Sequence, residues 1–256
     1  FFSWGRNEGG DDRGDGGGPA LAWVGAGASL SALLSRPPSA QAAPTLPKGT
    51  VLEGETGIKF RSSYPTPDER GEVHFVDAGC VSRRRWNLSV NNLYAVGLYV
   101  DLEKAYEDAS ARTDVTGEAM ARASLLEDNF DKTLRIVLAQ ETDTFKFTEA
   151  INDRIEADMA KRSYVDLAWL ELWRNWLINQ GGYKQKLNKG VEIRFSWGQG
   201  GVFTTEIRRR DKVLATKTLN SEPLAWAVFL AYLGEKPLQK NACQDMLSSY
   251  AGLMAQ

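Results

Sequence analysis

One histidine and two cysteines are all that the 256 residues hold of the commonest transition-metal ligands. A lone histidine, His74, excludes a His-rich metal cluster. It is also the only residue through which a Ser-His-Asp or Cys-His set can run. No nucleophile elbow accompanies it, so His74 reads as a half-exposed strand residue. Cys80 and Cys243 stand far apart and outside any CxxC spacing, which excludes a disulfide framework or a zinc site. Charge of one sign is also missing: 31 Lys and Arg face 33 Asp and Glu, for a net charge of −2. That balance does not call for a nucleic acid partner. Internal repeats are absent too. Aromatic residues are plentiful, with eight Trp, eight Tyr and ten Phe, and they supply material for a sizeable core.

The first 48 residues differ from the rest. Residues 1–18 are rich in Gly and Asp and have no periodicity. Residues 19–34, PALAWVGAGASLSALL, form an apolar run, short of the roughly 20 residues a membrane span needs. A small-residue site of the A-x-A kind follows at Ser39 to Ala43. Together these read as a targeting segment cleaved near Ala42, leaving no stable membrane span in the mature protein. A basic, Ser-rich stretch upstream would make it a two-part plastid address, for the stroma or the thylakoid lumen. Gly25 to Leu30 imitates part of a dinucleotide fingerprint but lacks its third glycine, its preceding strand and its βαβ unit.

Residues 49–256 read as one globular domain. Strands are expected over 72–77, 85–101 (one long strand or two joined) and 131–139. Helices are expected over 102–110, 115–128, 144–160 with Asp143 as N-cap, and 164–179 ended by Gly181 and Gly182. Three strands follow at 191–197, 202–208 and 213–218, with turns at 198–201 and 209–212. A helix capped at Asn220 or Ser221 carries Pro223 in its first turn and closes at Gly234. A last helix is expected over 237–254. This order describes an α+β domain, an antiparallel sheet with helices on one face.

The stretch from Ala78 to Asp101 holds the densest signal. Ala78-Gly79 reads as a small-residue turn. Arg83, Arg84 and Arg85 follow at one end of a strand, with Tyr94 further along it. Permanent cations beside an apolar cleft suit an anion; a solvated basic edge is the plainer alternative. Cys80 beside the arginines is either a thiol of lowered pKa or a buried inert one. Trp169, Trp173 and Trp176 pack against the sheet or wall a ligand.

Three stretches in order carry a resemblance: LYAVGLYV at 93–100, the strand-to-helix passage at 136–152, and LAWAVFLAYLGEKPL at 224–238. Over residues 49–254 the chain resembles the chalcone isomerase superfamily. Its YLGEKPL ending is similar to that family's, and LYAVGLYV looks more like the plastid fatty-acid-binding branch than the flavonoid enzymes. The resemblance implies an open-faced β-sandwich, a large antiparallel sheet covered by helices, with the ligand cleft between the two layers.

It also implies a site. In the isomerases an arginine at a strand end orients the substrate, a threonine lies on the next strand, and a tyrosine and an asparagine come from the helices. The arginine falls among Arg83, Arg84 and Arg85, with Arg83 preferred and Arg85 next. The threonine position falls on Tyr94, as in the fatty-acid-binding branch, where a tyrosine and the arginine hold the carboxylate. The tyrosine position falls on Phe145 and the asparagine on Asn152. An arginine fork with a phenol suits the head of a long-chain carboxylate. Lost hydroxyls weaken the case for cyclisation, which needs charge stabilised in the transition state. The expectation is a non-catalytic fatty-acid-binding protein needing no cofactor or metal. A chalcone–flavanone isomerase (an intramolecular lyase) and a ligand-free scaffold are the alternatives.

Overall fold

Tyr94, Val96, Leu98 and Val100 alternate along one strand with Ala95 and Tyr99, and both sets are buried. A strand presents successive side chains to opposite faces, so this sheet is covered on both sides here. The computed structural model describes residues 49–84, 90–112, 116–180 and 186–255. The expected targeting segment, Arg85 and the helix stop at Gly181-Gly182 lie outside these.

The main sheet is antiparallel with seven strands. In chain order its members are β3 (Ser63–Pro65), β4 (Glu72–Arg84), β5 (Val90–Val100), β6 (Lys132–Leu138), β9 (Val191–Gly198), β10 (Val202–Arg209) and β11 (Lys212–Asn220). They pair in the order β11-β10-β9-β6-β5-β4-β3. Two small ribbons pair β1 (Thr50–Leu52) with β2 (Lys59–Arg61), and β7 (Thr142–Asp143) with β8 (Lys186–Leu187). The helices are α1 (Leu102–Ala111), α2 (Gly117–Leu125), α3 (Thr144–Ala160), α4 (Tyr164–Ile178), α5 (Glu222–Leu233) and α6 (Lys240–Met254). The α+β, open-faced arrangement expected from the sequence is what the chain forms.

Local chemistry explains the helix ends. The Asp143 carboxylate accepts from the Lys146 amide and the Ser163 hydroxyl from the Asp166 amide, each satisfying a donor that the first turn leaves orphaned. Ser221 does the same for Leu224, with Pro223 in the first turn. α5 is apolar almost all round, the mark of a helix with no water-facing side. It lies centrally, packed by α3, α4, α6 and strands β9 and β10.

Two local expectations fail for tertiary reasons. Ala78-Gly79 is not a turn: β4 runs straight through it, pairing Ala78 with Gly97 and Gly79 with Val96. Gly79 is small because α6 lies on it; a Cβ there would stand 2.5 Å from Ala242 Cβ. The last helix starts at Lys240, not at 237. Before it, Leu238 turns back to donate its amide to the Ala231 carbonyl.

The helix-side core takes Leu134, Ile136 and Leu138 from β6, Ile193, Phe195 and Trp197 from β9, and Phe203 and Ile207 from β10. Trp173 of α4 reaches this layer, its indole N–H donating to Thr205 Oγ1 at 2.9 Å. A smaller cluster of Phe60, Tyr64, Val73, Ala95 and Tyr99 covers the far face of β5. Gly97 makes room for it: Phe60 Cε1 would lie 2.5 Å from a Cβ there.

Candidate functional site between sheet and helices

Tyr94 leaves β5 toward the helices at a bulge. The register steps from Val81↔Tyr94 to Ser82↔Asn92, so Leu93 is the extra residue. Leu93 and Tyr94 both meet the helix-side core. The Tyr94 ring packs edge-on against Phe147 of α3, with centroids 5.7 Å apart. Its neighbour from α5 is Tyr232, also buried. Burial pushes the Tyr94 phenol up to about 12, with Tyr232 drawing it partly back. Tyr232 rises well above the ordinary phenol range, again through burial first. Both phenols are therefore neutral donors at physiological pH. The Tyr232 hydroxyl has no hydrogen-bond partner of ordinary geometry among the described residues.

α3 contributes the other polar groups. Its buried stripe runs through Thr144, Phe147, Thr148, Ile151, Asn152, Ile155 and Met159, the spacing of one helical face. Thr148 donates to the Thr144 carbonyl at 2.8 Å. The Asn152 amide donates to Glu156 Oε2 at 3.0 Å, while Asn152 Oδ1 and Thr144 Oγ1 are buried without partners among the described residues. An unmet buried polar atom costs about 1–3 kcal/mol. Three such atoms lie on α3 and α5, two on the former and one on the latter.

No family model matches this chain, and neither does any curated protein. Among the solved structures that match is the Arabidopsis thaliana fatty-acid binding protein AtFAP1, with a TM-score of 0.63 at 19% identity, over 81% of this chain and 100% of that one. AtFAP1 is a chalcone isomerase-like protein, and its whole length is matched by the sheet and helices just described. The chain has the chalcone isomerase fold. On this chalcone isomerase fold the expected site residues are placed as follows. Tyr94 and Asn152 are both buried on the helix side, in β5 and α3. Phe145 is 45% exposed at the start of α3. The α3 aromatic that meets Tyr94 is Phe147, two residues on, because the helix turns Phe145 outward. The backbone of Arg83 lies in β4 opposite Asn91, two residues past Val81, or about 7 Å along the strand from the level of Tyr94. Arg85 lies outside the described residues.

Tyr232 is the candidate site residue that sequence reasoning missed. It sits in a helix with apolar residues on all sides, so no periodicity sets it apart. A hydroxyl near the end of so apolar a helix was the one available signal.

Proposed function

We propose that this chalcone isomerase-fold chain is a non-catalytic fatty-acid-binding protein. The carboxylate would enter between sheet and helices and meet Tyr94 together with Arg83 or Arg85. The observation that carries this is the buried pair Tyr94–Tyr232, two neutral phenols inside an apolar interior of a fold shared with a fatty-acid binding protein. A phenol donates to a carboxylate, and an arginine fork neutralises it. Together they offset the several kcal/mol that taking an unpaired carboxylate out of water costs. The tail needs only apolar walls, which Phe147, Ile151 and the α5 side chains supply. No helix among the described residues is long and apolar enough to cross a membrane. A plastid location is proposed from the pattern of residues 1–48 alone, and a fluorescent fusion of the chain checks it.

The deciding experiment extracts the purified chain with organic solvent and identifies the extract by mass spectrometry. Arg83→Ala, Arg85→Ala and Tyr94→Phe are run alongside. Stoichiometric fatty acid in the parent, lost in one arginine variant, supports the reading and identifies the arginine. An empty protein that also fails to bind added fatty acid overturns it, and incubation with a chalcone then separates isomerase from scaffold.

A further inference from the structure

The far face of the sheet is polar where it passes from β6 to β11, and its register sorts the polar groups into rows. Thr133, Ser196, Thr204 and Thr218 stand side by side across β6, β9, β10 and β11. Thr133 hydrogen-bonds Ser196 at 2.9 Å, and Thr204 bonds Thr218 at 3.0 Å. The next row holds Arg135, Arg194 and Glu206, and the one after it Glu192 and Arg208.

Charge within these rows does not balance pair by pair. Glu192 is shared by two guanidiniums: Arg135 Nη2 at 2.6 Å, and Arg194 through its Nε. All three residues are at least nine-tenths buried. Burial opposes the Glu192 charge, but Arg135 and Arg194 together hold its carboxyl below the usual range. One carboxylate against two guanidiniums leaves one positive charge over. Arg208 has its own partner in Glu206 at 3.0 Å, and Arg61 has Asp211 at 2.7 Å. Glu69, on the exposed turn after β3, is the remaining acid on the rim.

Donor capacity is left over on these guanidiniums: Arg135 Nε and Arg208 Nε are buried without partners among the described residues, and Arg194 has its whole terminal edge. The Arg194 guanidinium lies 3.8 Å above the Tyr64 ring, which holds the plane by cation–π attraction. Its hydrogen bond and ion pair to Glu192 both run through Nε, and its terminal nitrogens make no other hydrogen bond among the described residues. Arg194 lines an open cleft of about 620 Å³ whose walls also include Tyr64, Thr66, Thr133, Ser196 and Arg208. A fixed fork edge beside hydroxyl donors is the chemistry that holds an oxyanion.

We propose that this cleft is a second binding site, separate from the sheet–helix interior, for a small oxyanion: a carboxylate or a phosphate. Arg194 is its anchor, and Ser196 and Thr133 supply hydroxyls. Tyr64 keeps the guanidinium flat, and Glu192 with Arg135 keeps it in register.

The test is a thermal-shift titration of the full chain with sodium phosphate and, separately, sodium acetate. Chloride holds ionic strength constant, since a ligand that binds only the folded state raises Tm in a saturable way. The expected result is saturation by at least one anion, and which one distinguishes phosphate from carboxylate. Arg194→Lys keeps the charge beside Glu192 and removes the fork, so affinity falls by about tenfold or more. No response above the chloride control overturns the proposal. So does a response that survives Arg194→Lys, because the anion then binds elsewhere. If Arg194→Lys does not fold, Ser196→Ala serves in its place: affinity weakened several-fold supports the site, and unchanged affinity overturns it.

Discussion

Tyr94 on β5 and Tyr232 on α5 face one another between the sheet and the helices, both buried and electrostatically coupled, yet the Tyr232 hydroxyl has no hydrogen-bond partner of ordinary geometry among the described residues. A buried hydroxyl without a partner destabilises the empty protein; met by a carboxylate, it strengthens the complex. Tyr232→Phe is therefore expected to leave stability unchanged or raise it by up to about 1–3 kcal/mol. The same change weakens fatty-acid binding by about 3- to 10-fold. Urea denaturation and displacement of a fluorescent fatty acid measure the two effects. A clear loss of stability would show that the hydroxyl is already satisfied.

Gly97 and Phe60 make a second pair that can be tested without any ligand. An alanine methyl at Gly97 would meet the Phe60 ring at 2.5 Å. That ring is held by Phe75, 5.7 Å between centroids, and by the Arg135 guanidinium at 4.8 Å. Overpacking of this kind costs about 1–3 kcal/mol. Gly97→Ala should lose that much in chemical denaturation. Phe60→Leu made in the same background should recover part of it, the two changes being strongly non-additive.

Lys132 makes stability depend on pH. Its ammonium lies 4.2 Å from the Phe130 centroid and 4.5 Å from that of Trp197, and is bonded to the Glu127 carbonyl and Asn129 Oδ1. Burial lowers its pKa to about 7, against the opposing pull of Asp128, Asp108, Asp131 and Glu127. An unfolded lysine titrates near 10.4. Between about 7 and about 10 the unfolded chain binds more protons than the folded one, so stability rises with pH across that window. Below it both states carry the proton and this contribution is flat. Urea midpoints at pH 7 and pH 9.5 should show the rise, and Lys132→Met should flatten it. Equal slopes in the two proteins would contradict this account.

The two thiols are expected to be unreactive in the folded chain. Cys80 and Cys243 are free and buried. Burial, with Glu53 and Glu55 nearby, pushes Cys80 up to about 12; burial raises Cys243 as well, despite Arg122. Thiolate is the reactive form. A thiol reagent at pH 8 should label neither cysteine in the native protein at an appreciable rate, and both after denaturation. Rapid native labelling would refute the placement.

Much of the architecture was legible in the chain because local chemistry carries it. α3 spans Thr144–Ala160 behind its Asp143 cap. α5 follows Ser221 and Pro223, and β9 to β11 fall between turns rich in Gly or charge, as patterning and capping require. Tyr94 was legible as a strand residue, and Asn152 as one on an amphipathic helix. β1 to β3 were not, because strands of three residues carry no period, and Phe60 and Tyr64 are buried only by what they meet. Ala78-Gly79 has the composition of a turn, but its smallness serves α6 instead. Tyr232 has no periodic signature in an apolar helix, and its meeting with Tyr94 depends on how α5 is laid over the sheet. Glu192, Arg194 and Arg135 read as ordinary outward-facing polar residues on two strands. By itself, then, the sequence determined which segments are helix or strand and which side of each is apolar, since those follow from neighbours a few residues apart. Only the tertiary structure decided which polar residues stand together, because strand register and helix placement join positions that are dozens of residues apart.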